Sequence, residues 1–190
     1  PIKHAFYLAL AVIIAVAFAG QCQLTASCRN DRYLGLERAG IFLGNDPAWI
    51  DTVEKTTRFL NQHLAPAETF FALPYDPLYY FLAGKESPTR QIIFFDHINI
   101  PPEQEEKIIA ELKAGNIRYA LLSNRIHSME TGLGTFGKTY CPLLYEYIQE
   151  HFEAAASFGD WSGHPRWVWN HATVILKRRA PQAEGPLLRK

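Results

Sequence analysis

The residues of this chain whose types and spacing suit chemistry cluster around Pro74-Tyr75-Asp76-Pro77, with Tyr79 and Tyr80 just behind them. An acid between prolines, directly after a short apolar run, sits where open α/β sheets bind ligands, at a strand's carboxyl end. The tyrosines add stacking surfaces for a sugar ring. The same residues also read as simple helix punctuation: Asp76 as the cap, Pro77 at the first helical position, and the tyrosines packed against a sheet. The capping rules favour this second account. Arg90, in the run Ser87-Pro88-Thr89-Arg90, has a guanidinium that matches a phosphate bidentately, or bridges to an acid or a loop carbonyl. Arg125 and His127 follow a later apolar run, Arg118–Ser123, in a comparable position. A general base at His127 would need a neighbouring nucleophile or orienting acid, and the sequence offers neither, so it reads as a loop histidine.

Two further motifs carry less. Gly132-Leu-Gly-Thr-Phe-Gly137 matches the dinucleotide pattern G-x-G-x-x-G, but eight residues (Asn124 to Thr131) separate it from the preceding strand-like run. Glu153 and Asp160 fit the acidic ribose-binding role poorly, so a mobile glycine loop is expected instead of a nucleotide site. Trp161, Trp167 and Trp169, with His164 and His171, suit carbohydrate stacking, a membrane interface, or packing across a sheet edge. The histidines lack a pairing at ligand spacing, so no metal is expected. Cys22 and Cys28 lie close enough to bridge in an oxidising compartment, or are small residues at a helix end; Cys141 reads as core.

These residues must be positioned by a domain that begins after an apolar leader. No charge occurs between His4 and Arg29. As a helix, that stretch spans roughly 36 Å against a hydrocarbon core of about 30 Å. A membrane-crossing helix over 1–24 is therefore expected, ahead of a signal peptide or a core helix. Basic residues flank both sides (Lys3 and His4; Arg29, Arg32 and Arg38), which leaves its orientation open. Residues 25–45 read as a connector, 46–180 as one α/β domain and 181–190 as a flexible tail. Within the domain, helices are expected from Asp46-Pro47 to Leu64 (Ile50, Val53, Thr57, Leu60 and Leu64 on one face), over Leu78–Leu82, from Pro101-Pro102 to Gly115, and over Thr139–Phe152. Strands are expected at Thr69–Leu73, Gln91–Phe95, Arg118–Ser123, Ala154–Phe158 and Ala172–Arg178. The alternation predicts a three-layer α/β fold with a mainly parallel sheet and an antiparallel edge. At 48% hydrophobic, 13% aromatic and zero net charge, the chain can bury a sizeable core and carries no basic footprint for nucleic acid.

The segment FFALPYDPLYYFLAGKESPTR (Phe70 to Arg90), then a strand, a proline-started acidic helix, RYALLS and a closing ILKR, resembles the C-terminal soluble domain of GT-C-type membrane glycosyltransferases. These polyprenyl-phosphate-sugar-dependent enzymes are related to protein mannosyltransferases and to the lipid A aminoarabinose transferase. The resemblance covers most of residues 46–178. It implies a fragment of a polytopic enzyme that moves a sugar from a polyprenyl-phosphate carrier to a lipid, glycan or protein acceptor. It further implies an extracytoplasmic domain on the cytoplasmic membrane, with the bilayer and the parent's own transmembrane domain as partners and no cofactor. The family's catalytic acid lies in an early extramembrane loop with no counterpart here, so no catalytic residue is carried over. Tyr75, Asp76, Tyr79, Tyr80, Arg90 and Arg125 stand as substrate-facing candidates. The expectation from a different class is a stand-alone tethered binding or sensor module; a nucleotide-binding enzyme built on the glycine loop is a weaker third.

Overall fold

The computed structural model describes residues 2–28, 32–43, 47–127, 131–162 and 172–180. Uninterrupted by proline, the apolar leader forms one helix, α1 (Ile2–Cys28). Its described apolar side chains, among them Leu8, Val12, Ile13, Ile14, Val16 and Phe18, are all exposed. Because Val12, Ile13 and Ile14 are consecutive, these side chains point around the helix and form no stripe. The expected membrane span finds no support in the fold: among the described residues no helix is long and apolar enough to cross a membrane. The described side chains of the run reach from Tyr7 to Gly20, and fourteen helical residues rise only about 21 Å.

The expected connector at 25–45 is largely structured. It holds the end of α1 and an antiparallel hairpin, β1 (Arg32–Leu36) and β2 (Ala39–Leu43), joined by the two-residue turn Glu37-Arg38. Leu34, Leu36 and Ala39 are buried in the domain core. α2 (Pro47–His63) follows, and the predicted stripe is the one it buries: Ile50, Val53, Thr57, Leu60 and, just past its end, Leu64. Thr52 and Thr56 lie on the same buried side.

β3 (Phe71–Leu73) runs through the cis Leu73–Pro74 bond into Tyr75-Asp76 and the short helix α3 (Pro77–Ala83). Gly84, at φ +64°, closes that helix: its N–H donates to Phe81 O, and the following Lys85 N–H donates to Tyr80 O. The expected strand at Gln91–Phe95 does not form. The segment buries Phe94 and Phe95, and the Phe94 N–H donates to Pro74 O at 2.9 Å. Pro74 lies past the end of β3 and has no N–H to return the bond, so a ladder cannot propagate.

α4 (Pro102–Ala114) buries Ile108 and Leu112 and leads to β4 (Tyr119–Ser123), buried at every position. α5 (Pro142–His151) starts later than its periodicity suggests, because Cys141 holds a left-handed φ of +51° and Pro142 opens the helix. β5 (Phe152–Gly159) and β6 (Ala172–Arg178) complete a sheet of order β3-β4-β6-β5. Only β3 and β4 are parallel; β4–β6 and β6–β5 are antiparallel. The sheet is thus mixed, not mainly parallel: one expected parallel strand is lost at Gln91–Phe95, and β6 inserts in the middle.

Alternation then builds three layers. Phe71, Leu73, Ala120, Leu122 and Leu176 face α4 and α5, whereas Ala72, Tyr119, Leu121 and Ile175 face α2, α3 and the hairpin. Thr56 Oγ1 and Thr173 Oγ1, 2.6 Å apart and fully buried, join α2 to β6. Glu105 of α4, 1% exposed, accepts the Leu144 N–H at 2.8 Å and so caps α5, whose own cap residue supplies no side-chain bond. Burial pushes the Glu105 pKa up, against the lowering effect of the Leu144 and Leu143 backbone N–H groups.

Candidate functional site

β3 and β4 deliver their carboxyl ends side by side, with Leu73 opposite Leu122. From there the chain turns through Pro74-Tyr75-Asp76 on one side and the 3-10 turn Asn124–Ile126 on the other. Arg125 links the two. Its Nη1 donates to Tyr75 O at 2.9 Å and lies 3.8 Å from Asp76 Oδ1, with side chains 12% and 3% exposed. Asp76 occupies the cap position of α3, yet its carboxylate makes no capping bond and instead faces the arginine. This is a buried charge pair at the end of a parallel strand pair, where ligands of open α/β sheets bind.

Around the pair the polar inventory is incomplete. Arg125 Nε and the Tyr140 hydroxyl are buried with no hydrogen-bond partner among the described residues. Tyr140 is held neutral far above its ordinary range by burial, then by Cys141 and Asp76. A neutral phenol and a guanidinium N–H are both donors, so the spare capacity here suits an acceptor-rich ligand such as a phosphate or sugar oxygen. Tyr140 was not legible as a site residue, because it is brought here only by the loop that precedes α5.

The remaining candidates divide. Tyr75 is half-buried, its ring 6.4 Å from Phe95, and is the tyrosine of the four-residue turn that keeps an open face. Tyr79 and Tyr80 lie on the inner face of α3, 0% and 8% exposed, so they are core residues and not stacking surfaces. Tyr80 stacks on Phe70 at 4.7 Å, and its hydroxyl accepts the Ala72 N–H at 2.9 Å. Burial pushes its pKa up to about 12, with the Asp76 charge adding to the rise and the Ser87 and Ala72 hydrogen bonds opposing it. Arg90 is exposed. His127 packs edge-on against Trp161 at 6.3 Å. Burial, then Lys138, lowers its pKa and favours the neutral imidazole.

The glycine loop is tied to the rest of the domain by backbone hydrogen bonds. Asp96 N–H donates to Leu133 O and His97 N–H to Gly132 O, while Phe136 N–H donates to Ile126 O and Gly137 N–H to Tyr140 O. Within the loop, the Gly132 and Leu133 carbonyls and the Thr135, Phe136 and Gly137 amides are therefore used inside the protein. The glycines serve close approach: a Cβ at Gly134 would lie 2.1 Å from Thr139 Oγ1, and one at Gly137 2.4 Å from the Tyr145 ring. His164, Trp167, Trp169 and His171, and the side chains of Cys22 and Cys28, lie outside the described residues. Among the described residues no group of histidine, cysteine or acidic side chains forms a metal site.

No protein-family model matches the chain, and no curated protein sequence matches it. Among solved structures, it is similar to the C-terminal globular domain of an oligosaccharyltransferase from Archaeoglobus fulgidus. The identity is 12% and the TM-score 0.39, over 72% of this chain and 100% of that one.

Proposed function

We propose that this chain is the C-terminal extramembrane domain, with its preceding membrane helix, of a polytopic glycosyltransferase. The parent enzyme transfers a sugar from a polyprenyl-phosphate carrier to a lipid, glycan or protein acceptor, with the lipid phosphate as leaving group. The observation that carries the proposal is α1, whose described apolar side chains are exposed on all sides. A helix without a polar face is stable only inside a protein or inside lipid. The sequence extends its uncharged run on both flanks, from Ala5 to Cys28, and the β1–β2 hairpin of the domain begins four residues later. The ordered motifs from Phe70 to Arg178 support the family, and the Asp76–Arg125 pair supplies a polar site at the β3/β4 end.

In this account the domain stands on the extracytoplasmic side of the cytoplasmic membrane and covers the catalytic face. Tyr75–Arg90 is its contact surface toward the membrane domain, and Tyr75, Asp76 and Arg125 meet the phosphate or sugar oxygens of a bound carrier or acceptor. The chain by itself transfers nothing. The test is twofold. Membranes from cells producing the full chain are washed with alkaline carbonate, and the chain is expected in the pellet. The purified chain is then given polyprenyl-phosphate sugar and acceptors, and no product is expected. Release into the wash, or sugar transfer by the chain alone, would overturn the proposal.

A further inference from the structure

α4 and α5 lie side by side and leave between them a groove of about 410 Å³. They run in the same direction: Glu105 meets Leu144 near their starts, and Lys113 meets Tyr147 farther along. The floor of the groove is apolar, made by Ile109, Ala110, Leu143 and Tyr147. Its rim holds three acids, Glu106, Glu146 and Glu150, against one permanent cation, Lys113, whose Nζ stands 5.3 Å from the Tyr147 ring centroid. Among the described residues Glu106 and Glu146 form no ion pair. Tyr147 is 5% exposed, and its hydroxyl is buried with no hydrogen-bond partner among them. Such a groove suits an occupant that joins apolar to cationic side chains and brings a polar atom to the phenol.

The chain leaves β6 beside this groove. Arg179 N–H donates to His151 O at 2.8 Å, and its Nη1 donates to Glu150 O at 3.1 Å. Ala180 therefore stands next to the end of the groove that His151 lines. Residues 181–190, outside the described ones, read PQAEGPLLRK, two leucines followed directly by two cations. Leu187 is seven residues past Ala180, a reach of up to about 25 Å. From His151 back to Leu143 the groove rises only about 12 Å along α5. A second hollow opens at the same exit, lined by Arg118, Lys177, Arg178 and Arg179 with only Glu68 and Glu153 opposing them. Its surplus of positive charge repels Arg189 and Lys190, so charge selects the α4–α5 groove.

We propose that Leu187 and Leu188 fold back onto the floor of this groove, with Arg189 and Lys190 against its acids. The returning segment straps the end of β6 to both helices and closes the α4–α5 face, so a partner of that face must first displace it. The contact lies wholly within the domain and does not depend on how α1 is placed. A second copy of the chain would bring the same side chains, but a segment tethered ten residues or fewer from the groove meets it at a far higher effective concentration.

The test uses the full chain in detergent, with Cys22 and Cys28 replaced by serine and a reporter thiol at Ala110→Cys on the groove floor. Cys141, 1% exposed, stays silent. A control thiol is placed at Asn61→Cys, exposed on α2 across the sheet. The rate of alkylation by a maleimide is measured at each position. Leu187→Ser/Leu188→Ser is expected to speed labelling at 110 severalfold and to leave labelling at 61 unchanged. Arg189→Gln/Lys190→Gln is expected to act in the same direction, more weakly. With Leu188→Cys added to Ala110→Cys, mild oxidation is expected to join the two within one chain, at a rate independent of protein concentration. Labelling at 110 that ignores both pairs of substitutions overturns the proposal. So does a cross-link that forms only between chains and quickens with concentration, because a second copy would then fill the groove.

Discussion

Replacing Arg125 with methionine removes the cation between the two turns while keeping much of the side-chain volume. Asp76, 3.8 Å away, is 3% exposed and Arg125 is 12% exposed, so water screens the pair little. At that distance an effective dielectric of about 20 gives an attraction of about 4 kcal/mol. Measured losses on removing one partner of a buried pair are about 3–5 kcal/mol. The 3.8 Å separation is longer than a hydrogen bond, so the lower end applies, and Arg125→Met is expected to lose about 3 kcal/mol. For a chain of this size, that lowers Tm by about 6–12 °C. The double variant Asp76→Asn/Arg125→Met no longer strands a charge, and it should recover about 2 kcal/mol relative to the sum of the single losses. Thermal and urea unfolding of the full chain in detergent, followed by near-ultraviolet circular dichroism, would measure both. A single variant within about 1 kcal/mol of the wild type, or strictly additive losses, would refute the picture of a buried clamp joining β3 to β4.

Gly137, at φ +78° and with a Cβ position 2.4 Å from the Tyr145 ring, should lose more than about 2 kcal/mol on substitution by alanine. Gly20→Ala, with nothing within 4 Å of its added methyl, should leave the same urea midpoint unmoved. Because burial raises the Glu105 pKa, the folded state holds this proton to higher pH than the unfolded chain. Its stabilising contribution is therefore complete below the ordinary carboxylate pKa and is lost as pH rises through the raised value. Glu105→Gln keeps an acceptor for the Leu144 N–H, so it should flatten the fall in urea midpoint as pH rises above the ordinary carboxylate pKa of about 4; an unchanged slope would count against a buried, titrating cap. Burial, with Glu105 adding, pushes the Cys141 thiol up to about 12. In a chain lacking Cys22 and Cys28, iodoacetamide at mildly alkaline pH should leave Cys141 unmodified until urea is added; rapid labelling of the folded chain would contradict its burial.

The elements with strong local signals were legible in the sequence. α2 declared itself through its cap-and-proline start and its apolar spacing, and α3 through Pro77 and Gly84. β4 and β6 were plain from their apolar runs. The hairpin was hidden because its turn is Glu37-Arg38, without the Asn-Gly or Gly-Gly pair that marks such turns. Gln91–Phe95 has strand composition, but pairing depends on the partner's backbone, and the partner it meets is a proline. In the site, Tyr75, Asp76 and Arg125 could be nominated from position along the chain. The inward orientation of Tyr79 and Tyr80, and the arrival of Tyr140, follow from tertiary packing that no local pattern encodes. Glu105 illustrates the same limit: it reads as one more acid favouring the start of α4, and the structure spends it on α5.

The position of β6 has a consequence for how the domain is made. The last strand among the described residues lies second from one edge, between β4 and β5. Until Ala172–Arg178 emerges from the ribosome, β5 lacks its neighbour in the sheet and β4 has one side bare. Synthesis therefore cannot lay the sheet down in order, and any product cut short before Ala172 would leave two strand borders open to association with other chains.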